Sequence, residues 1–398
     1  MSSQRLPLLE AAEAAIAPLA EAPALIPVLR PRLPSLREIA PYLEEIDERR
    51  WYSNWGPLVA RLEEQLSRHF GFAEGGVVTT ANATAGITAA LLARRVEPGS
   101  FCLMPSWTFV ATPHAARGAG LTPWFHDFDS RTWALDPVQV SETLKRISVK
   151  VGAVIVVSPF GAPLDVQAWE AFEDRTGIPV VIDAAAGFDT VQASHIPSVV
   201  SVHATKILGA GEGGFIATTD SELRERLVAC CNFGFTESRS AMLAALNAKM
   251  SEYHAAVALA NLARWPETRA GHVRICEWYR AGIQRLPGVS LQPGYGAGWV
   301  SATTSVLLPL DSAAWVSREL VRAGIETRAW WGKGCHVQPA FAHCPRGELC
   351  VTEDLGTRVL GLPHFPGLQT RDVDTVVDAM SQALRSYALG RLRESVWS

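Results

Sequence analysis

The feature that most constrains this chain is the regular exchange of helix-like and strand-like segments through its first half. From Pro57 to Phe70 the apolar residues Leu58, Val59, Leu62, Leu66 and Phe70 recur at helical spacing with charge on the opposite face, which predicts a helix ending at Gly71. Gly76 to Thr80 is a short β-branched run, and Thr84 to Ala93 resumes a small-residue helix. The pattern then repeats: strand at Phe101–Met104, helix at Phe109–Ala119, strand at Val151–Val157, helix at Val166–Arg175, strand at Val180–Ile182. Strands alternating with helices predict an α/β fold whose mostly parallel sheet is covered on both faces. Ligands of such sheets collect at the carboxyl ends of the strands.

Composition sets the scale. With 398 residues, 48% hydrophobic and 19% charged, the chain can bury one large core and a smaller one. Prolines 27, 31, 34 and 41 and one helical pattern from Leu36 to Glu48 make residues 1–50 an N-terminal arm, followed by a large domain over 51–270 and a small C-terminal α+β domain over 271–398. A net charge of −4 without a basic stripe excludes nucleic acid as a partner. Apolar runs such as Val151–Val157 fall short of the ~20 residues that span a bilayer, so no membrane is expected. The segment from Leu6 to Val28 carries Glu10, Glu13 and Glu21 and lacks the basic start of a signal peptide, which makes the expected location cytoplasmic. Seven irregularly spaced cysteines read as free thiols. Cys335, His336, His343, Cys344 and Cys350 are metal-type residues without paired ligand spacing, so no metal site is expected.

Ser201-Val-His-Ala-Thr-Lys206, running into Gly-Ala-Gly-Glu-Gly-Gly214, places one lysine between a hydroxyl-rich turn and a glycine run. Gly209, Gly211 and Gly214 formally match a dinucleotide fingerprint, but that motif opens a helix, whereas Phe215-Ile-Ala-Thr-Thr219 is strand-like. The glycines therefore read as a connection between strands that lets backbone pass close to Lys206. Asp183 directly follows the buried run Pro179–Ile182, and Asn82-Ala83-Thr84 lies between a strand and a helix N-terminus, where free N–H groups meet an anion. An aspartate after a strand is commonly only a turn former. Taken with Lys206, Thr84 and Ser201, it suggests pyridoxal phosphate, which needs a lysine for its aldehyde, an acid for its ring nitrogen and donors for its phosphate.

At these residues the chain resembles the DegT/DnrJ/EryC1/StrS family of pyridoxal phosphate-dependent sugar aminotransferases, from about Pro31 to about Leu384. The resemblance rests on Tyr52–Pro57, Pro105–Thr112, Val181–Ala185, Ser201–Lys206 with Gly211–Gly214, and Asn247–Glu252, all in the family's order. It implies the aspartate-aminotransferase fold (fold type I), with Lys206 as the Schiff-base lysine and Asp183 on the pyridinium nitrogen. It further implies that Phe109 stacks on the ring, that Ala83, Thr84 and Ser201 hold the phosphate, and that Asn247 reaches the phosphate of a neighbouring subunit in a homodimer. Trp331 and His336 would border the substrate, although an aromatic pair with a histidine is more often simple packing. The activity so implied is amino transfer from an amino-acid donor, glutamate first, to the keto carbon of a nucleotide-linked deoxysugar, for amino-sugar biosynthesis. Ala186 stands where the family usually has a glutamine touching the cofactor's 3′-oxygen, Ser158 to Gly161 lack the usual histidine, and Lys249 replaces a common arginine. Two alternatives stay open: a sugar dehydratase, whose relatives replace the lysine with histidine, and a non-catalytic binding or regulatory protein.

Overall fold

A computed structural model describes residues 25–73 and 75–397; the earlier part of the predicted arm lies outside the described residues. Seven strands form the main sheet: β1 (Val77–Thr80), β2 (Phe101–Pro105), β3 (Thr122–His126), β4 (Val151–Val157), β5 (Val180–Asp183), β6 (Ser198–Ser201) and β7 (Gly214–Ala217), in the order β1-β7-β6-β5-β4-β2-β3. Strands β2 to β6 pair in parallel, and β7 runs antiparallel to both of its neighbours. Buried strands in such a sheet send alternate side chains to opposite faces. Val154 and Val156 accordingly join one core cluster with Leu103, Ile182 and Phe215, while Ala153 and Ile155 join the other with Met104, Val181 and Ile216.

The predicted segments appear as elements with small changes of boundary. Helices occupy Leu36–Arg49, Pro57–Phe70, Ala83–Ala93, Ala111–Gly118 and Val166–Thr176. The sequence reading omitted β3 and the helix Pro137–Arg146. Pro123 masks the strand signal, and its missing N–H is tolerated because β3 lies at the edge of the sheet. The Pro57–Phe70 helix begins at Gly56, which has no side chain to cap it, and the cap comes from far along the chain. Buried Glu252 accepts from Leu58 N at 2.8 Å and Val59 N at 3.0 Å. A Cβ on Gly56 would lie 2.6 Å from the Glu252 carboxyl carbon, so glycine is what lets the carboxylate in.

A second, antiparallel sheet of three strands, β8 (Ser290–Leu291), β9 (Thr304–Leu307) and β10 (Val359–Leu362), packs with the helices Ala313–Arg322 and Thr370–Trp397 around Val306, Val316, Leu320, Val376 and Met380. The helix Trp265–Ile283 runs through the expected division at residue 270, with Trp265 in the main core and Tyr279 and Ile283 in the second. Ile26, at the described start of the arm, exchanges two backbone hydrogen bonds of 2.9 Å with Gly324 and Glu326.

Candidate active site

Lys206 lies on the loop from Val202 to Gly213 that joins antiparallel β6 and β7. Hydrogen bonds from Val202 N to Gly213 O at 3.0 Å and from Ala204 N to Gly211 O at 2.8 Å draw the base of the loop together. The glycines serve this closure: Gly213 has φ +148°, and a Cβ there would lie 2.7 Å from Val202 Cγ2 and from Met250 Cε. The run thus leads into strand β7 and not into a helix, which excludes the dinucleotide alternative.

A cavity of about 410 Å³ opens at the carboxyl ends of β4, β5 and β6. Seven of the nine residues singled out in the sequence line it: Lys206, Asp183, Ala83, Thr84, Phe109, Ser201 and Trp331. Asp183, the last residue of β5, is buried; Thr112 donates to its Oδ2 at 2.7 Å and Ala185 N–H to its Oδ1 at 3.1 Å. Burial pushes the Asp183 carboxyl above the usual carboxylate range, opposed by these two bonds and by the charge of Lys206. The same burial pushes the Lys206 ammonium below its ordinary value, opposed by Asp183. The Lys206 side-chain amine forms no hydrogen bond or ion pair with any described residue, while its backbone N–H donates to the His203 carbonyl at 2.8 Å.

The phosphate-type turn is built at the start of the Ala83–Ala93 helix. Asn82 caps it by accepting from Ala85 N at 2.8 Å, which leaves the first-turn amides of Ala83 and Thr84 without helical acceptors. Ser201 Oγ accepts from His203 N at 3.2 Å and lines the same cavity. A Cβ on Gly214 would stand 2.9 Å from Ala83 N, so glycine keeps β7 from crowding this amide. On the far wall Trp331 stacks on Phe160 with ring centres 4.1 Å apart and planes 12° apart. Phe160 holds φ 55°, a left-handed conformation that costs a non-glycine residue about 1 kcal/mol or more.

Two of the nine stand elsewhere. His336 is buried beside Ser106, its Nδ1 2.8 Å from Ser106 Oγ, and is absent from the cavity lining. Burial and the nearby Arg346 charge push it below the ordinary histidine range. Asn247 is exposed, accepts from Lys249 Nζ at 2.7 Å, and lies outside its own chain's cavity. Among the described residues no group of three His, Cys, Asp or Glu side chains is placed to hold a metal.

The sequence reading missed Thr112, His203, Glu212 and Arg328. His203 and Glu212, which flank Lys206, line the cavity with His203 Nε2 3.7 Å from Glu212 Oε1. Arg328 also lines it. Thr112 gives no signal of its own, being one hydroxyl on a helix 71 residues before Asp183.

An acid at a strand end, a desolvated lysine and a helix N-terminus in one cavity of a mostly parallel sheet define an enzyme of the aminotransferase class. Residues 35–381 match the DegT/DnrJ/EryC1/StrS aminotransferase family, and the chain belongs to that family. It is 30% identical over 375 residues to protein Rv3402c of Mycobacterium tuberculosis, covering 90% of each. It is 31% identical to the dTDP-4-amino-4,6-dideoxy-D-glucose transaminase of Shigella dysenteriae, over 89% of this chain and 98% of the relative. Among solved structures, DesI in the presence of its TDP-sugar product superposes with a TM-score of 0.83 at 32% identity, covering 95% of this chain and 97% of that one. The expected fold and transaminase class are borne out.

Proposed function

We propose that this protein is a pyridoxal phosphate-dependent transaminase that moves an amino group from an amino acid, glutamate first, to the keto carbon of a nucleotide-linked deoxysugar. The observation that carries the reading is the convergence of Lys206, Asp183, Ala83, Thr84 and Ser201 on one cavity. The donor set fits the cofactor: two first-turn amides and two hydroxyls for a phosphate, a buried carboxylate for a ring nitrogen, and an unpaired amine for an aldehyde. The substrate class is supported by the transaminase of Shigella dysenteriae and by DesI with its TDP-sugar product.

When bound, the cofactor supplies an electron-withdrawing ring that accepts the electron pair of a carbon losing its proton. The chain supplies position and proton traffic. Thr112 and Ala185 fix both oxygens of Asp183 in one orientation, in which it would hold a cationic ring nitrogen, and such a cation would offset the burial cost that raises the Asp183 pKa. Burial favours the neutral amine of Lys206, whose Nζ could then take a proton from one carbon and deliver it to another, as general base and then general acid. Trp331, stacked on Phe160, makes a flat apolar wall for a ring. Ala186 removes the usual side-chain contact to the 3′-oxygen.

The protein works as a homodimer in this reading, with Asn247 serving the neighbouring subunit's cavity. Exposed Phe109, Phe233, Met242 and Tyr253 support an apolar contact of that kind. Loading with pyridoxal phosphate should give a yellow protein whose visible band changes on adding glutamate and is absent in Lys206→Ala. Turnover of a panel of nucleotide-linked keto-sugars, followed by mass spectrometry, tests the acceptor. A protein that stays colourless with the cofactor, or a coloured one that aminates no member of the panel, would overturn the cofactor or the acceptor assignment respectively.

A further inference from the structure

A second cavity, of about 330 Å³, shares with the first only Leu29, Thr205, Lys206, Ile207 and Ala302. Its remaining walls bring Arg30, Arg32, Arg264 and Arg274 together, with Glu267 as the one acid among the described lining residues. Arg264 is committed to Glu38 at 2.9 Å, and Arg30 lies 5.8 Å from the centre of the Phe365 ring. Arg32 and Arg274 have no ion pair with any described residue. Unpaired surface arginines are ordinary; a buried polar chain that ends on the same cavity is not.

That chain begins at the Tyr295 hydroxyl, which hydrogen-bonds Thr304 Oγ1, and Thr304 Oγ1 lies 2.8 Å from His364 Nδ1. His364 Nε2 lies 2.8 Å from Nδ1 of His272, which is 3% exposed and lines the cavity. His272 Nε2 is the nitrogen left over, without a hydrogen-bond partner among the described residues. A neutral imidazole carries one N–H, so the proton order along the chain can run either way. An anion in the cavity selects the order in which Thr304 donates to His364, His364 donates to His272, and His272 Nε2–H donates to the anion.

We infer that this cavity binds a small phosphate-bearing molecule, its phosphate held by Arg32, Arg274 and His272 Nε2–H, with Trp278 and Phe365 as the apolar wall. Planar guanidinium groups suit phosphate oxygens through paired, charge-assisted hydrogen bonds. The ligand would lie against the Lys206 loop without entering the first cavity, and nothing in the assignment depends on the substrate that the first cavity takes.

The test is calorimetric titration of the cofactor-loaded protein with inorganic pyrophosphate at constant ionic strength, comparing wild type with Arg32→Glu/Arg274→Glu and with His272→Gln. Both arginines are exposed, so the double variant should fold. Saturable binding that weakens about tenfold or more in the double variant supports the site, since two charge-assisted partners are lost. A smaller loss in His272→Gln, with the protein still folded by circular dichroism, supports the histidine contact. Absence of saturable binding, undiminished binding in the double variant, or release of the cofactor by pyrophosphate would overturn it. Should the protein fail to load pyridoxal phosphate, the same comparison on the unloaded protein still reads this cavity, because only its arginines are changed.

Discussion

Thr112→Val tests the electrostatic core of the proposed mechanism with the least change of shape. The Thr112 hydroxyl is fully buried, donates to Asp183 Oδ2 at 2.7 Å and lies 2.9 Å from Thr108 Oγ1. An ionised carboxylate only accepts, so the proton order is Thr108 to Thr112 to Asp183. Valine keeps the volume but removes the donor. A hydrogen bond to a charged group contributes about 1.5–3 kcal/mol. Asp183 keeps the Ala185 N–H, so a loss near 1.5 kcal/mol, roughly tenfold in rate, is the expected effect on kcat. Because the Thr112 bond holds the Asp183 pKa down against burial, its removal raises that pKa further. The pH at which the bound cofactor's visible absorbance changes should therefore move. Thr112→Ser should restore both readouts, and Thr108→Val should show a smaller loss of the same kind. A Thr112→Val enzyme with kcat within about twofold of wild type and an unmoved absorbance titration would refute this account of Asp183.

Glu252→Ala should lower stability by about 1.5–3 kcal/mol, since it strips the carboxylate from Leu58 N and Val59 N and leaves two buried donors unmet; urea unfolding measures it. Gly161→Ala should reduce both thermal stability and cofactor retention. Its φ is +94° and the new Cβ would fall 2.4 Å from the Ala186 carbonyl oxygen, which pushes on the segment that carries Asp183. Burial holds His272 down at about 4 against the usual 6.5, so the unfolded chain binds the proton first. That contribution is fully present above pH 6.5 and is lost as the pH falls toward 4, about 3 kcal/mol in all. Unfolding midpoints of wild type and His272→Gln between pH 7.5 and pH 4.5 should converge as that window is crossed. Hydrogen bonds from the Ser35 side chain and backbone, helped by Arg264, hold Glu38 down at about 2 from the usual 4.5. The Leu36–Arg49 helix should thus lose its capping box as the pH falls from 4.5 toward 2, which amide exchange at its first turn would report.

The strand and helix alternation, the Lys206 loop, the Asp183 strand end and the Ala83-Thr84 turn were all legible in the sequence, because each depends on local order. Periodic apolar residues declare an element, a buried β-branched run declares a strand, and a glycine run entering a strand cannot be a dinucleotide cradle. The edge strand Thr122–His126 was hidden by its proline, and the distant cap on the Pro57–Phe70 helix by 194 residues of separation. His336 looked like a substrate residue from its place in a motif, yet its ring is turned to Ser106.

What the sequence by itself determined is therefore the class of fold, the family its ordered motifs resemble, and the candidate lysine and acid, since these rest on local order and residue type. Only the tertiary structure decided how that chemistry is tuned. Thr112, brought to Asp183 from 71 residues away in the chain, fixes the carboxylate; burial shifts Asp183 and Lys206 toward their neutral forms. The packing of the arm against the second core brings four arginines and a buried histidine to one cavity. Desolvation and hydrogen bonding depend on which groups are adjacent in space, and segments far apart in the chain become neighbours only when the sheet closes over its helices.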